Sequence, residues 1–241
     1  MGISVQHISK SFKAVQALSN ISFDVKEGEL FGLIGPDGAG KTTLFRILTT
    51  LLIANEGSAK VAGFDVLKNY KDIRKCVGYM PGKFSLYQDL TVEENLSFFA
   101  TIFGTTIEEN YELIKDIYIQ IEPFKNRRAK DLSGGMKQKL ALCCALIHKP
   151  KVLFLDEPTV GVDVQSRNLI TEHLHLLNNA GCTIIYTSHL MEEAENLCTS
   201  IAIIDHGKII ATGEPKKLIQ EHSKSTLEQL FLKLTGKKLR D

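Results

Sequence analysis

Residues Leu30-Phe31-Gly32-Leu33-Ile34 form a short apolar run that ends at Gly35, and from Thr42 to Leu52 the apolar residues Leu44, Ile47, Leu48 and Leu51 recur at helical spacing. The first pattern suits a buried parallel strand, the second a helix with one face for packing on a sheet. Between them stands Gly35-Pro36-Asp37-Gly38-Ala39-Gly40-Lys41-Thr42, which fits G-x-x-x-x-G-K-[ST]. A chain that joins strand to helix through such a loop is constrained toward an α/β fold, because the loop needs both the strand end before it and the helix N-terminus after it.

The chemistry of that loop follows from its parts. Glycines let backbone N–H groups converge on phosphate oxygens, and the helix N-terminus adds its positive end. Lys41 would reach the β and γ phosphates, and Thr42 would offer its hydroxyl to Mg²⁺. The plainer alternative is a glycine-rich turn with a capping threonine, and the correct flanks on both sides weigh against it. A metal site of this kind needs a carboxylate. Val152-Leu153-Phe154-Leu155-Asp156-Glu157 supplies two at the end of another apolar run. Asp156 would hold Mg²⁺ through its water shell, and Glu157 is placed to polarise an attacking water. A simple turn into Pro158 is the alternative.

The rest of the chain alternates in kind. Ile3 to Ile8 alternates imperfectly, and Ile21 to Val25 alternates well before a turn at Glu27-Gly28, so an antiparallel β layer is expected at the N-terminus. Strand signals fade from Phe84 to His148. There Thr91-Val92-Glu93-Glu94 fits a capping box, a helix is expected over Glu109 to Ile121, and Gly134-Gly135 precede another over Met136 to His148. Strand-like runs return at Val152 to Leu155, Thr183 to Thr187 and Ile201 to Ile204, separated by helical patterns at Gln165 to Asn178 and Met191 to Leu197. The expected fold is α/β: one domain over 1–241 with a P-loop NTPase core of mixed parallel sheet. The core takes 1–83 and 149–215, an inserted helical subdomain 84–148, and a helical tail 216–241. That tail is basic (Lys216, Lys217, Lys224, Lys233, Lys237, Lys238, Arg240), and its stripe of Leu227, Leu230, Phe231 and Leu234 suits packing, so the lysines read as a solvated face.

Composition removes several function classes. Lys plus Arg total 29 against 28 for Asp plus Glu, which leaves no overall field for holding nucleic acid. No apolar run reaches the roughly 20 residues that span a bilayer, and Met1 to Asn20 has no secretory pattern, so a soluble, cytosolic chain is expected. Cys76, Cys143, Cys144, Cys182 and Cys198 are odd in number and contain no C-x-x-C pair, which reads as small buried hydrophobes with neither disulfides nor zinc.

Taken in order, further segments resemble the ABC ATPase family over nearly the whole chain. Leu132-Ser133-Gly134-Gly135-Met136 is similar to the family's signature, Gly161-Val162-Asp163 to the loop that joins two sites of a dimer, and His189 to the switch histidine that contacts the γ-phosphate. Phe12 resembles the aromatic platform that stacks on adenine; without the resemblance, a core phenylalanine reads equally well. The resemblance implies ATP bound by Phe12, by Gly35 through Lys41 and Thr42 to Thr43, and by Ser133, Gly134, Gly135 and Asp163 of an opposed subunit. Lys41, Glu157 and His189 would carry hydrolysis, and Thr42 and Asp156 the Mg²⁺. It also implies two partners: a separate transmembrane permease, and a second copy of this chain or a homologous ATPase subunit, on the inner face of the cell membrane. Met136-Lys137-Gln138-Lys139 and Ser188-His189-Leu190-Met191-Glu192-Glu193-Ala194 look like the branch that exports drugs and polysaccharides. An importer subunit, or a soluble relative acting on nucleic acid or ribosomes, is the alternative. His7, His148, His173, His175, His206 and His222 take structural readings.

The chain departs from the family pattern at Gly82, where a Gln usually follows the strand at Val77-Gly78-Tyr79-Met80-Pro81. Water, Lys83, Ser85 or Gln88 could take that place, with Gln88 disfavoured by the loop between. Asp37 stands for the usual Asn and Met136 for the usual Gln. Neither change removes a catalytic group.

Overall fold

In the computed structural model, which describes residues 2–236, the imperfect alternation of the first strand has a cause. Strands β1 (Ile3–Phe12) and β2 (Val15–Val25) pair antiparallel, with register shifts between Val5 and Ile8 and again beyond. Such bulges change which residues face inward, so Ile3, Val5 and Ile8 are all buried although period two would separate Val5 from Ile8.

Strand β3 (Leu30–Ile34) is buried along its whole length and leads through the glycine-rich loop into α1 (Lys41–Leu48). The helix stops four residues short of the expected Leu52. Leu44, Ile47 and Leu48 are buried as expected, but Leu51 is 59% exposed. The Thr49 hydroxyl donates back to the Phe45 carbonyl at 2.8 Å, and Thr50 takes φ 64°, a conformation that helices do not continue through. Arg74 fixes it there by donating to the Thr50 hydroxyl and carbonyl at 2.8 and 2.9 Å.

Next come β4 (Glu56–Val61), β5 (Phe64–Asp65), α2 (Tyr70–Cys76) and β6 (Val77–Met80). The sequence patterns did not reveal β4 and β5, because Ala59 and Val61 are the only buried residues in the two strands. Helices α3 (Val92–Ile102), α4 (Tyr111–Tyr118) and α5 (Gly134–Leu146) follow, and the β pairing described in this stretch is an isolated bridge between Thr91 and Arg128. The capping box of α3 forms as expected: the Thr91 hydroxyl accepts from Glu94 N at 3.1 Å, and Glu94 Oε2 accepts from Thr91 N at 2.8 Å. Helix α4 is shorter at both ends than expected. Helix α5 starts at Gly134, two residues early, because Ser133 caps it.

The remaining elements alternate as expected: β7 (Val152–Asp156), α6 (Val164–Asn179), β8 (Thr183–Ser188), α7 (Met191–Leu197) and β9 (Ser200–Asp205). They are followed by β10 (Lys208–Gly213), α8 (Pro215–Glu221) and α9 (Leu227–Thr235). Leu227, Leu230 and Phe231 of α9 are buried, and Leu234 packs beside them. Lys237, Lys238 and Arg240, with the end of the expected 216–241 tail, lie outside the described residues.

Two sheets result. An antiparallel one has the order β2-β1-β4-β5, and a six-stranded one has the order β10-β9-β3-β8-β7-β6, parallel except where β10 meets β9. Helix α1 packs with the residues of the antiparallel sheet, its Phe45 meeting Phe154 of β7 edge-on at 5.2 Å. The helices from α3 onward bury their stripes with the opposite set of strand residues. Cys143, Cys144 and Cys198 are buried as expected, but Cys76 and Cys182 are partly exposed, which corrects the reading of all five as core residues. Among the described residues no helix is long and apolar enough to cross a membrane.

Candidate functional site

Strand register brings the chemistry together. Ile34 of β3 pairs with Ser188 of β8, and Asp156 of β7 pairs with Thr187, so the loops after β3, β7 and β8 leave the sheet side by side. The carboxyl edge of a parallel sheet is where ligands of α/β folds gather. Two glycines of the first loop are required by space. A Cβ at Gly35 would lie 2.1 Å from the Ile204 carbonyl, and Gly40, at φ 109°, would bring one to 2.6 Å from the Ala17 carbonyl.

Lys41 is 5% exposed, and its ammonium donates to the Gly35 and Pro36 carbonyls at 2.7 and 3.1 Å. It also stands 3.8 Å from Glu157 Oε1. The loop thus holds a buried cation on its own carbonyls. Asp156 is 3% exposed, and both oxygens are bonded: Oδ2 accepts from the Thr42 hydroxyl at 2.7 Å and Oδ1 from the Thr187 hydroxyl at 2.8 Å. Burying a carboxylate without donors would be costly, which is why both hydroxyls are needed.

Glu157 takes φ 55°, an unfavourable conformation for a residue with a side chain. Its N–H is held by the Thr187 hydroxyl at 3.0 Å and the Thr187 carbonyl at 3.2 Å, and its Oε1 lies 3.6 Å from His189 Nδ1. A cleft of about 400 Å³ opens between Asp37 to Thr43 on one side and Tyr79, Gly82, Lys83, Asp156 and Glu157 on the other. It offers a cation, converging backbone, a hydroxyl–carboxylate pair and a second carboxylate: groups suited to a phosphate chain and a water beside it.

Not every expected residue reaches this cleft. Ser133 caps α5, its hydroxyl accepting from Met136 N at 3.4 Å, and Gln138 donates to the Val160 carbonyl at 3.4 Å. Ser133, Gly134 and Gly135 therefore sit beside the 160–163 loop and away from the cleft wall. Asp163 caps α6, accepting from the N–H and hydroxyl of Ser166 at 2.9 and 2.8 Å, and these bonds hold its carboxyl below the usual range. Phe12 is 46% exposed at the end of β1, so the core reading of it fails; it does not line the cleft either. Within one chain none of these residues lines the cleft.

Gly82 lies where the departure from the family pattern matters most. A Cβ there would stand 3.1 Å from the Asp156 carbonyl oxygen and 3.7 Å from its carboxyl carbon. Lys83 lines the cleft, whereas Gln88 is exposed, its carbonyl accepting from Lys130 N at 3.0 Å. Sequence reasoning missed Thr187, Arg46 and Tyr79. Thr187 was visible only as part of a strand, and its role needed the pairing of β7 with β8. Arg46 and Tyr79, with Pro81, form the wall between the cleft and an apolar groove of about 600 Å³ that takes in Leu86, Phe99 and Phe103.

The sequence pattern of the ABC transporter family matches residues 18–160. Over 239 residues the chain is 39% identical to "Probable multidrug ABC transporter ATP-binding protein YbhF" of Escherichia coli; the match covers 96% of this chain but only 41% of that protein. It is 39% identical over 233 residues to "Nod factor export ATP-binding protein I" of a Rhizobium strain, covering 96% of this chain and 77% of that one. Among solved structures, an ATP binding subunit of an ABC transporter superposes with a TM-score of 0.90 at 26% identity, over 98% of this chain and 100% of the other. A dimeric ATP-binding cassette in a post-hydrolysis state, bound to ADP and Pi, gives 0.81 at 25% identity, over 88% of this chain and 98% of the other.

Proposed function

The chain belongs to the ABC transporter family, and on that premise we propose that it binds and hydrolyses ATP as one of two ATPase subunits clamped on a separate transmembrane permease. The observation that carries this reading is the meeting of Lys41, Thr42, Asp156 and Glu157 at one cleft. Lys41 would hold the β and γ phosphates, with the N–H groups of the loop before it. Glu157 would accept a proton from water as its oxygen attacks the γ-phosphorus and the bond to ADP breaks. His189, beside Glu157, would touch the same phosphate.

Thr42 and Asp156 present the hard oxygen donors that Mg²⁺ prefers, and phosphate oxygens and water would complete its shell. Bound there, the ion would neutralise charge on the phosphates.

The placement of Ser133, Gly134, Gly135 and Asp163 outside the cleft supports a two-chain site. A second copy of the chain would present them to this chain's ATP, and Phe12, already exposed, would stack on adenine. The groove beside Arg46, Tyr79 and Pro81 is the natural seat for the permease, because it shares a wall with the cleft. The export names of the relatives favour export over import, and the chain would then work at the inner face of the membrane. Purified chain should release phosphate from ATP only with Mg²⁺ present, and Lys41→Ala should abolish both binding and release. Turnover that survives in Lys41→Ala would overturn the reading.

A further inference from the structure

Beside the cleft, one largely buried carboxylate gathers side chains from three segments that the hydrolytic reading uses separately. Glu193, on the first turn of α7, accepts through Oε2 from the Tyr186 hydroxyl, from the Thr159 hydroxyl at 2.9 Å and from the Ser188 hydroxyl at 3.3 Å. Its Oε1 stands 3.2 Å from Arg167 Nε. The Glu193 side chain is 13% exposed, so these contacts face little competition from water.

The partners are not equivalent. Thr159 lies two residues past Glu157, in the tight turn where Val160 N donates to the Glu157 carbonyl and Val162 N to the Thr159 carbonyl, both at 3.3 Å. Arg167 N donates to the Asp163 carbonyl at 2.9 Å, so its side chain reports on the start of α6. The Ser188 hydroxyl also accepts from Leu190 N at 2.9 Å and so brackets His189. Tyr186 is fully buried in β8, and burial together with the Glu193 carboxylate pushes its phenol well above the usual range, keeping it a donor.

We propose that Glu193 is a positioning residue for ATP hydrolysis: its carboxylate ties the turn from Glu157 to Asp163 to the segment bearing His189, so the groups on either side of the γ-phosphate keep one geometry. This rests on the hydrolytic function proposed above. Charge-assisted hydrogen bonds are the stronger kind, and a group serving several donors fixes loops that would otherwise move independently. Glutamine in its place keeps the shape, but has one acceptor oxygen where the carboxylate has two and would turn N–H groups toward donors.

The test compares wild-type chain, Glu193→Gln and Tyr186→Phe for ATP Kd, kcat, KM and thermal midpoint. In Glu193→Gln, kcat should fall at least tenfold, with Kd and KM for ATP within about twofold of wild type. Tyr186→Phe removes one donor and keeps the ring, so it should show a smaller fall in kcat alone. Combined with Glu193→Gln it should add nothing, because the two act through one network. Equal kcat in wild type and Glu193→Gln would overturn this inference and leave the hydrolytic function standing. A fall in kcat matched by weaker ATP binding and a lower midpoint would show a structural role and overturn it as well. If Glu193→Gln does not fold, Tyr186→Phe decides on the same criteria. A wild-type chain that binds no ATP would overturn the hydrolytic function itself, and this inference with it.

Discussion

Thr187 donates its hydroxyl proton to Oδ1 of Asp156 at 2.8 Å. The hydroxyl oxygen of Thr187 in turn accepts from the backbone N–H of Glu157 at 3.0 Å. A single fully buried side chain therefore sets both the carboxylate proposed for the metal and the backbone of the proposed base. The left-handed φ of Glu157 is held in place by this bond and by the Thr187 carbonyl.

Thr187→Val keeps the branched shape and deletes the hydroxyl. It leaves one buried oxygen of Asp156 without its donor, which costs about 1–3 kcal/mol. We expect the denaturation midpoint to fall accordingly, and kcat for ATP to fall more than tenfold with Kd for ATP changed far less. An unaltered kcat would show that Glu157 is held by other means.

Lys83 and Gln88 separate cleanly. Lys83 lines the cleft next to Gly82, whereas Gln88 is exposed and engaged through its backbone to Lys130. Lys83→Ala should weaken ATP binding severalfold, with an effect that shrinks as salt rises, because a cation in a half-open cleft acts through screened charge. Gln88→Ala should leave binding and turnover within twofold. Loss of turnover in Gln88→Ala would mean that this residue does replace the missing glutamine at 82.

Much of this was legible in the sequence. The phosphate loop announced itself because its glycines are forced by contacts with Ile204 and Ala17, and such constraints leave fixed letters. The helix after it was overestimated by periodicity, since Leu51 continues the pattern but Thr50 breaks the backbone. Thr187 and Glu193 carried no local signal. Their roles come from strand register and from contacts with residues up to 34 positions away, as in Glu193 with Thr159. The open wall at Gly82 was seen as a missing side chain, but its distance to Asp156 needed the fold.

Stability should depend on two histidines, His173, which is buried, and His148, which is half-buried. His173 lies between α4 and α6; burial lowers its pKa, partly opposed by Asp116, whose Oδ2 is 3.7 Å from Nδ1. Burial likewise lowers His148, which stacks on Phe103 at 3.8 Å between ring centroids, against the opposing bond to the Val77 carbonyl. Below about pH 6.5 the unfolded chain takes up protons that the folded histidines resist, so stability falls as pH drops through the window between the unfolded and folded values. Urea midpoints measured from pH 7 to pH 5 should decline, and His173→Phe should flatten the decline. An equally steep slope in that variant would remove His173 from the account.

The most direct measurement is the mass of the Glu157→Gln chain in solution with saturating Mg²⁺ and ATP. One chain is 26.8 kDa. The variant should keep the binding groups of the cleft and lose the proton acceptor, so ATP should remain intact between two chains and the mass should double. Without nucleotide it should return to that of one chain, because a ligand joins two chains only when it contacts both of them in the closed state. A variant that stays single with ATP bound, or that hydrolyses ATP at the wild-type rate, would contradict the composite site.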